Sequence, residues 1–196
     1  MECNVFTDGK ISKEFPASLF NQLADNIYQY YKTEYPKFHK MDNLSKLGFL
    51  TTEILLKGLT LTEKFDNYKI GVILSNNSSS LDTDLNYFNS IKSGIVSPSI
   101  FAYTLPNIVI GEICIRNEIK GENAFFVSDK YDIYSQVNFV NSLLNKGVID
   151  ACICGWVELL NESYESFLYL VAKENYCDHL QHTIENIEKF YNQTNN

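Results

Sequence analysis

The sequence has very few of the basic residues that a polyanion-binding protein needs. Its 196 residues include a single arginine, Arg116, and the formal net charge is −8 at pH 7. Proteins that bind nucleic acids or anionic membranes neutralise phosphate groups with a basic face. The charge balance therefore argues against nucleic acid and anionic lipid as partners.

Long apolar runs and a basic start are also missing. No segment approaches the roughly 18 consecutive apolar residues that a membrane helix needs, and the first residues, MECNVFTD, have no basic stretch followed by an apolar one. We therefore expect no membrane span and a cytoplasmic protein. With 45% hydrophobic and 14% aromatic residues, the chain is long enough to fold as one domain over residues 1–196.

The cysteines and histidines do not form a recognisable metal or nucleophile pattern. Five cysteines are an odd number for a chain without an export signal, which favours reduced, buried thiols. Cys152 and Cys154 are one residue apart in an apolar run, so a strand would bury both on one face, whereas zinc sites use wider spacings. We expect no metal and no cofactor.

One alternative remains for the C-terminal histidines. His179 and His182, close to Cys177, would lie one turn apart on a predicted terminal helix and would share a metal ion there. No fourth ligand is evident in the sequence, so surface histidines are the favoured interpretation. His39, in a basic and aromatic run, matches no motif, and no Gly-x-Ser-x-Gly segment is present to expose a catalytic serine.

Hydrophobic spacing predicts a layered α/β fold. Ser79 and Asp82 are predicted to cap the helix that follows the first strand, and Pro106 is predicted to break a long apolar helical segment. The polar loop of residues 75–80 has no glycine, which favours a turn over a phosphate-binding loop. The predicted elements are helices at 16–32 and 44–59, a strand at 68–74, a helix at 81–93, a kinked helical segment at 97–119, a strand at 123–128, a helix at 131–146, strands at 148–156 and 166–172, and a helix at 176–191.

Three motifs follow one another in the second half of the chain. Residues 97–107 read SPSIFAYTLPN, residues 119–121 read IKG, and residues 146–158 read KGVIDACICGWVE. In order and spacing they resemble the N-terminal half of the β-ketoacyl synthases, in particular the short N-terminal-like branch of that family. The resemblance covers roughly residues 68–172 and implies half of a thiolase-like layered fold. The residues that match the family motifs, and to which we assign structural roles, are Pro106, Asn107, Gly121, Gly147, Asp150 and Gly155.

The resemblance breaks down at the nucleophile. In the condensing enzymes a turn between a strand and a helix holds the catalytic cysteine at the helix N-terminus, where the helix dipole favours a thiolate. The family has Gly-Pro with the cysteine about nine residues after the glycine, but here Glu122 follows Gly121 and the cysteine position falls on Lys130. An ammonium group has no lone pair for acyl transfer, so ordinary condensation is excluded. Lys130 is interpreted as a solvated residue between Asp129 and Asp132, and contact with an acyl group or a carrier phosphate is the alternative.

The resemblance implies a non-catalytic role. Condensing enzymes take two further catalytic residues, commonly histidines, from a C-terminal half that we expect to be missing here. We predict a synthase-like protein of a type II fatty-acid, polyketide or aryl-polyene pathway that acts as a chain-length or partner subunit with a complete synthase or an acyl carrier protein. Two alternatives stay open. One is an acyltransferase or hydrolase with another nucleophile, such as Ser128 or Cys154, and the other is a purely structural subunit of an oligomer.

The predicted partner is another subunit. A helical layer with Phe101, Tyr103, Ile108 and Ile110 as candidates would leave a large apolar patch unless a second chain covered it. We therefore expect a homodimer or a heteromer with a full-length ketosynthase. Binding of an acidic acyl carrier protein would require several lysines on one face. The lysines considered for that face are Lys37, Lys40, Lys46 and Lys57.

Overall fold

A run of seven buried residues, Ile70–Asn76, forms the central strand of the sheet in the computed structural model of the chain. The structure describes residues 2–7, 10–16, 19–94, 96–173 and 180–194. Its helices and strands are β1 (Glu2–Thr7), β2 (Lys10–Pro16), α1 (Phe20–Tyr30), α2 (Asn43–Leu55), β3 (Ile70–Asn76), α3 (Leu81–Lys92), α4 (Pro98–Phe101), α5 (Ile108–Asn117), β4 (Asn123–Val127), α6 (Ile133–Asn145), β5 (Ala151–Leu160), β6 (Ser163–Ala172) and α7 (Ile184–Thr194).

The main sheet has four strands in the order β4-β3-β5-β6. Strand β3 is parallel to both β4 and β5, and β5 and β6 form an antiparallel hairpin. The parallel strands are joined through helices, as parallel connections require. Burial on both faces explains why β3 is an almost continuous apolar run rather than an alternating one.

Helices cover both faces of this sheet. Val72 and Leu74 point to the layer formed by α1, α2 and α5, where they join a core that includes Phe49 and Ile113. Ile73 points to the opposite face, where a second cluster under α6 contains the buried thiols Cys152 and Cys154. The predicted α/β layered fold is therefore confirmed, and the two cysteines lie buried on one face of β5, as their spacing indicated.

Pro106 breaks the apolar helical segment as predicted. The chain leaves α4 at Ala102 and re-enters a helix at Ile108. Burial along this segment differs from the expectation, because Tyr103 and Ile110 are buried within the chain itself, whereas Phe101 is exposed. Tyr103 and Ile110 are therefore not part of a face that awaits a second subunit.

One element was not predicted, and two further expectations were wrong. An antiparallel hairpin of β1 and β2 was not predicted at all. The residue that caps α3 is Ser80 rather than Ser79, and Asp82 lies inside the helix as a buried acceptor. The terminal helix begins at Ile184, so His182 precedes it, while Cys177 and His179 lie outside the described residues. In the described ranges, no helix is long and apolar enough to cross a membrane.

Candidate functional site

The candidate site lies where the parallel strands β3 and β4 end at their carboxyl ends. Ligands of open α/β sheets bind at this edge, and the turn to which the resemblance assigns the nucleophile position follows β4. Hydrogen bonds tie the two loops together, because Ser128 N–H donates to the Asn76 carbonyl at 3.0 Å and the Asn77 side-chain amide donates to the Ser128 carbonyl at 3.3 Å. The two loops therefore act as one surface.

The loop after β3 binds a carboxylate from the chain itself. One oxygen of Glu158, on β5, accepts the backbone N–H of Asn77 at 2.6 Å and that of Ser78 at 3.1 Å. The Asn76 side chain closes the turn by accepting the Ser79 N–H at 2.9 Å. Anions bind to such outward-facing N–H groups, and Glu158 already fills this position. The loop is thus a turn with an internal anion, which agrees with its interpretation as a turn rather than a phosphate-binding loop.

The turn after β4 presents Lys130 to solvent. Lys130 is exposed and two residues ahead of Asp132, which is the N-cap of α6. The Asp132 carboxylate accepts the Ser135 N–H at 3.0 Å. Hydrogen bonding to Ser135, first through its side chain and then through its backbone N–H, lowers the pKa of Asp132. A capping carboxylate therefore uses the helix N-terminus that stabilises a thiolate in a condensing enzyme.

Aromatic packing fills the space behind this turn. Tyr131 is buried, and its ring lies 5.8 Å from that of Trp156 and 6.1 Å from that of Phe167, measured between centroids. Its hydroxyl donates to Gln136 at 2.6 Å, while the Gln136 amide donates to the Gly155 carbonyl at 3.1 Å. Burial raises the pKa of Tyr131 above its usual value, so the phenol stays protonated. The residues next to Lys130 thus form a packed core instead of an acyl pocket.

The alternative nucleophiles lack activating neighbours. Ser128 is half-buried, and its hydroxyl donates to the Lys130 carbonyl at 2.7 Å. In the described part of the chain, neither Ser128 nor Lys130 is hydrogen-bonded to a histidine, a cysteine or a carboxylate side chain. Cys154 is fully buried, and burial raises the pKa of its thiol. Both groups are therefore poor nucleophiles in this conformation.

Three of the six residues that match the family motifs, Gly121, Gly147 and Asp150, lie at the opposite, amino end of the sheet. A side chain at Gly121 would meet the Ile70 carbonyl at 2.3 Å, and Gly147 has a left-handed backbone with φ +69°. Asp150 pairs with Lys173. Pro106 and Asn107 form the connection into α5, where Asn107 is the N-cap, and Gly155 lies within β5. The role of these six residues is structural in our interpretation.

His182 is half-buried and hydrogen-bonded at both ring nitrogens. Its Nδ1 lies 2.7 Å from Asn141 Oδ1, and its Nε2 lies 3.1 Å from the Tyr169 hydroxyl. Burial lowers the pKa of His182 to about 4, so the imidazole is neutral at pH 7. The interpretation of His182 as a surface histidine was therefore wrong. Among the described residues no group of three potential metal ligands comes together.

Two of the lysines considered for carrier binding are engaged with side chains of the chain itself. Lys37 makes an ion pair of 2.8 Å with the buried Glu112, and Lys46 donates to Asn21 at 2.8 Å. Lys57 follows α2 at its far end, about 16 Å along the helix from Lys46. Lys57 therefore lies apart from Lys46.

Sequence reasoning missed two of the anchoring carboxylates. Glu158 was seen as part of a motif without a role, although a carboxylate two residues after a buried Trp on a central strand is a signal for an internal partner. Glu112 lies within the apolar sequence of α5. Its carboxylate forms an ion pair with Lys37 and accepts a hydrogen bond from the Tyr103 hydroxyl at 2.9 Å. A lone acid in an apolar helix is the signal that identifies such a buried network.

Comparisons by sequence give no relative, because no family model and no curated protein matches the chain. Comparison of structures, in contrast, finds similar proteins. The ishigamide ketosynthase/chain length factor is 18% identical, with a TM-score of 0.64 over 78% of this chain and 49% of that chain. A type II polyketide synthase acyl-carrier protein in complex with its ketosynthase bound to the hexaketide is 15% identical, with a TM-score of 0.55 over 73% of this chain and 47% of that chain.

A third match has the same fold. A β-ketoacyl synthase from Burkholderia phymatum STM815 is 16% identical, with a TM-score of 0.51 over 65% of this chain and 33% of that chain. The chain therefore spans a third to a half of the length of these solved chains. The thiolase-like, ketosynthase-like fold that the motifs implied is confirmed by these matches.

Proposed function

We propose that this chain is a non-catalytic, ketosynthase-like subunit that assembles with a complete condensing enzyme or its acyl carrier protein in a type II fatty-acid, polyketide or aryl-polyene pathway. Its part there would be to set chain length or to support the partner synthase. The observation that carries this proposal is the turn after β4, to which the resemblance assigns the nucleophile position: Lys130 is exposed there, and the buried ring of Tyr131 fills the space behind it.

Two features of the comparisons support a partner role. One matched structure is described as a ketosynthase/chain length factor and another as a ketosynthase in complex with an acyl-carrier protein. Both have the fold of this chain, and in both the printed description names an assembly. The environment of Ser128 and Cys154 adds support, since neither group has an activating base among the described residues.

The outer edge of β4 is the surface that we propose for the complete synthase. Among the described strands β4 pairs only with β3, so its other edge has no strand neighbour. Phe126 and Val127 on this strand are exposed. An exposed apolar edge strand is a template for pairing with a second chain unless something covers it. This edge continues directly into the Lys130 turn, so a partner here would also contact the candidate site.

The test is co-purification with a complete ketosynthase and acyl carrier protein from the same organism. We expect a heteromeric mass in native mass spectra, with this chain unmodified after incubation with acyl donor. The variant Val127→Lys should reduce the heteromer at least about tenfold, because a charge enters the proposed strand contact. The control is Val148→Lys, which changes an equally apolar, exposed residue at the amino end of the sheet and should have no effect.

Two results would contradict the proposal. An acyl group found on this chain would identify it as an acyltransferase or hydrolase with another nucleophile. A failure to associate with either protein, while the chain forms its own oligomer, would favour the purely structural alternative.

A further inference from the structure

Helix α3 is apolar on its solvent side and polar on its buried side. Asp82 and Thr83 are 8% and 3% exposed. The four apolar residues of the opposite side, here called the α3 stripe, are between 42% and 53% exposed, and they are Leu81, Leu85, Phe88 and Ile91. Surface helices normally have the reverse pattern, with the apolar face toward the core.

Polar bonds fix this orientation of the helix. Asp82 accepts the Asn161 N–H at 2.9 Å, and the Thr83 hydroxyl donates to Asp42 at 2.6 Å. Because these bonds join α3 to the β5–β6 hairpin and to the start of α2, the helix cannot rotate its stripe toward the core without losing them. The exposure of the α3 stripe therefore follows from the fold itself.

The stripe continues onto the neighbouring segment. The ring of Phe101, which is 59% exposed, lies 5.4 Å from that of Tyr87 on α3. The Ser80 hydroxyl donates to the Thr104 carbonyl at 3.0 Å, which places exposed Leu105 beside the start of α3. Six side chains that are each about half exposed present on the order of 500 Å² of apolar surface, at the upper end of what a monomer leaves uncovered.

Charges at the two ends of the stripe are self-complementary. Asp84 is exposed in the first turn of α3, and Lys92 is exposed in the last turn. The two residues are equally spaced on either side of Phe88, whose ring centroid lies 4.3 Å from the Lys92 ammonium. An antiparallel second α3 centred on Phe88 would therefore place each aspartate opposite a lysine and each Leu85 opposite an Ile91.

We propose that the α3 stripe is the contact surface for a second copy of this chain. Two α3 helices pack antiparallel about a two-fold axis at Phe88, and Asp84 of each copy pairs with Lys92 of the partner subunit. Isologous contacts of this kind are the commonest form of homodimer. The stripe with its neighbours and a polar rim approaches the roughly 800 Å² that each partner of a stable complex buries. This surface is distinct from the outer edge of β4, and the inference does not depend on the proposed function.

The first test is the mass of the isolated chain by sedimentation equilibrium between about 1 and 100 µM, the range in which weak dimers dissociate. We expect a dimer of the 22.5 kDa chain. The variant Phe88→Asp should weaken dimerisation at least about 100-fold, because it places a carboxylate at the centre of the contact. The matched control is Ile115→Asp, which changes an apolar residue that is 62% exposed on α5 and should leave the dimer intact. Circular dichroism should match the wild-type spectrum for both variants.

A charge exchange identifies the partner. Lys92→Glu should weaken the dimer about tenfold, because it faces Asp84 of the second copy, and the double variant with Asp84→Lys should return to within about threefold of wild type. A monomeric wild-type chain, a dimer insensitive to Phe88→Asp, or no rescue by the double variant would each overturn the inference. If the chain is monomeric and Phe88→Asp abolishes binding to the synthase, the stripe serves that partner, and the proposed function stands while this inference fails.

Discussion

Replacing Gly155 by alanine should destabilise the protein more than any other single methyl addition to the sheet. Gly155 lies in β5 with φ +148°, a conformation that side-chain-bearing residues rarely adopt. An added Cβ would lie 1.9 Å from the Phe167 carbonyl oxygen on β6, so the two strands would have to separate. Backbone strain and overpacking each cost roughly 1–3 kcal/mol. We therefore expect Gly155→Ala to lower the free energy of unfolding by about 4 kcal/mol.

The assay is equilibrium unfolding in urea together with a thermal melt. For a chain of this size about 4 kcal/mol corresponds to a decrease in Tm of about 10 °C. The matched control is Gly111→Ala in α5, where a new Cβ meets no atom within 4 Å. Alanine is a better helix former than glycine, so the free energy of unfolding of this variant should increase by about 0.5–1 kcal/mol. A loss below about 1 kcal/mol for Gly155→Ala would refute the argument, because the contact with β6 would then be adjustable.

Three other predictions concern buried groups. Burial lowers the pKa of His182 from its ordinary value of 6.5 to about 4 in the folded state. The unfolded chain therefore binds more protons between these values, and stability should fall by about 2 kcal/mol as pH decreases from 6.5 to 4, a slope that His182→Gln removes in urea titrations. Lys37→Met should lower the free energy of unfolding in urea by about 2 kcal/mol, because it leaves the Glu112 carboxylate buried without its cation. Adding Glu112→Gln to this variant should restore part of the lost stability. Cys152 and Cys154 should resist thiol reagents in native protein and react in urea, whereas labelling of either in the native state would contradict their burial.

Much of the fold was predictable because its signals are local. The central strand, the helices on both sides of it and the break at Pro106 follow from apolar spacing and from proline chemistry, and the observed elements differ mainly at their ends. The N-terminal hairpin, which was not predicted, also has a local signal, because an Asp-Gly pair at residues 8 and 9 of the sequence favours a tight hairpin turn.

The contacts of the site were not predictable in the same way. Glu158 is far from Asn77 in sequence, and only the parallel pairing of β3 with β5 brings its carboxylate to the loop. The position of His182 depends equally on Tyr169 and Asn141, which belong to two other elements. Hydrophobic periodicity says which face of an element is buried, but it does not say which polar groups meet across the sheet. The prediction for Lys130 was easier, because exposure of a lysine flanked by acids needs no long-range partner.

The positions of Gly121, Gly155 and Lys130 explain how the fold tolerates a change of residue in the turn after β4. Gly121 and Gly155 lie where a carbonyl of the neighbouring strand leaves no space for a side chain, so they serve the sheet itself. Lys130, to which the resemblance assigns the nucleophile position, lies in an exposed turn, where exchange of the side chain removes no packing contact. The layered core therefore does not depend on the residue at this position. A chain built in this way retains surfaces such as the β4 edge and the α3 stripe, and these surfaces are where we expect its function to lie.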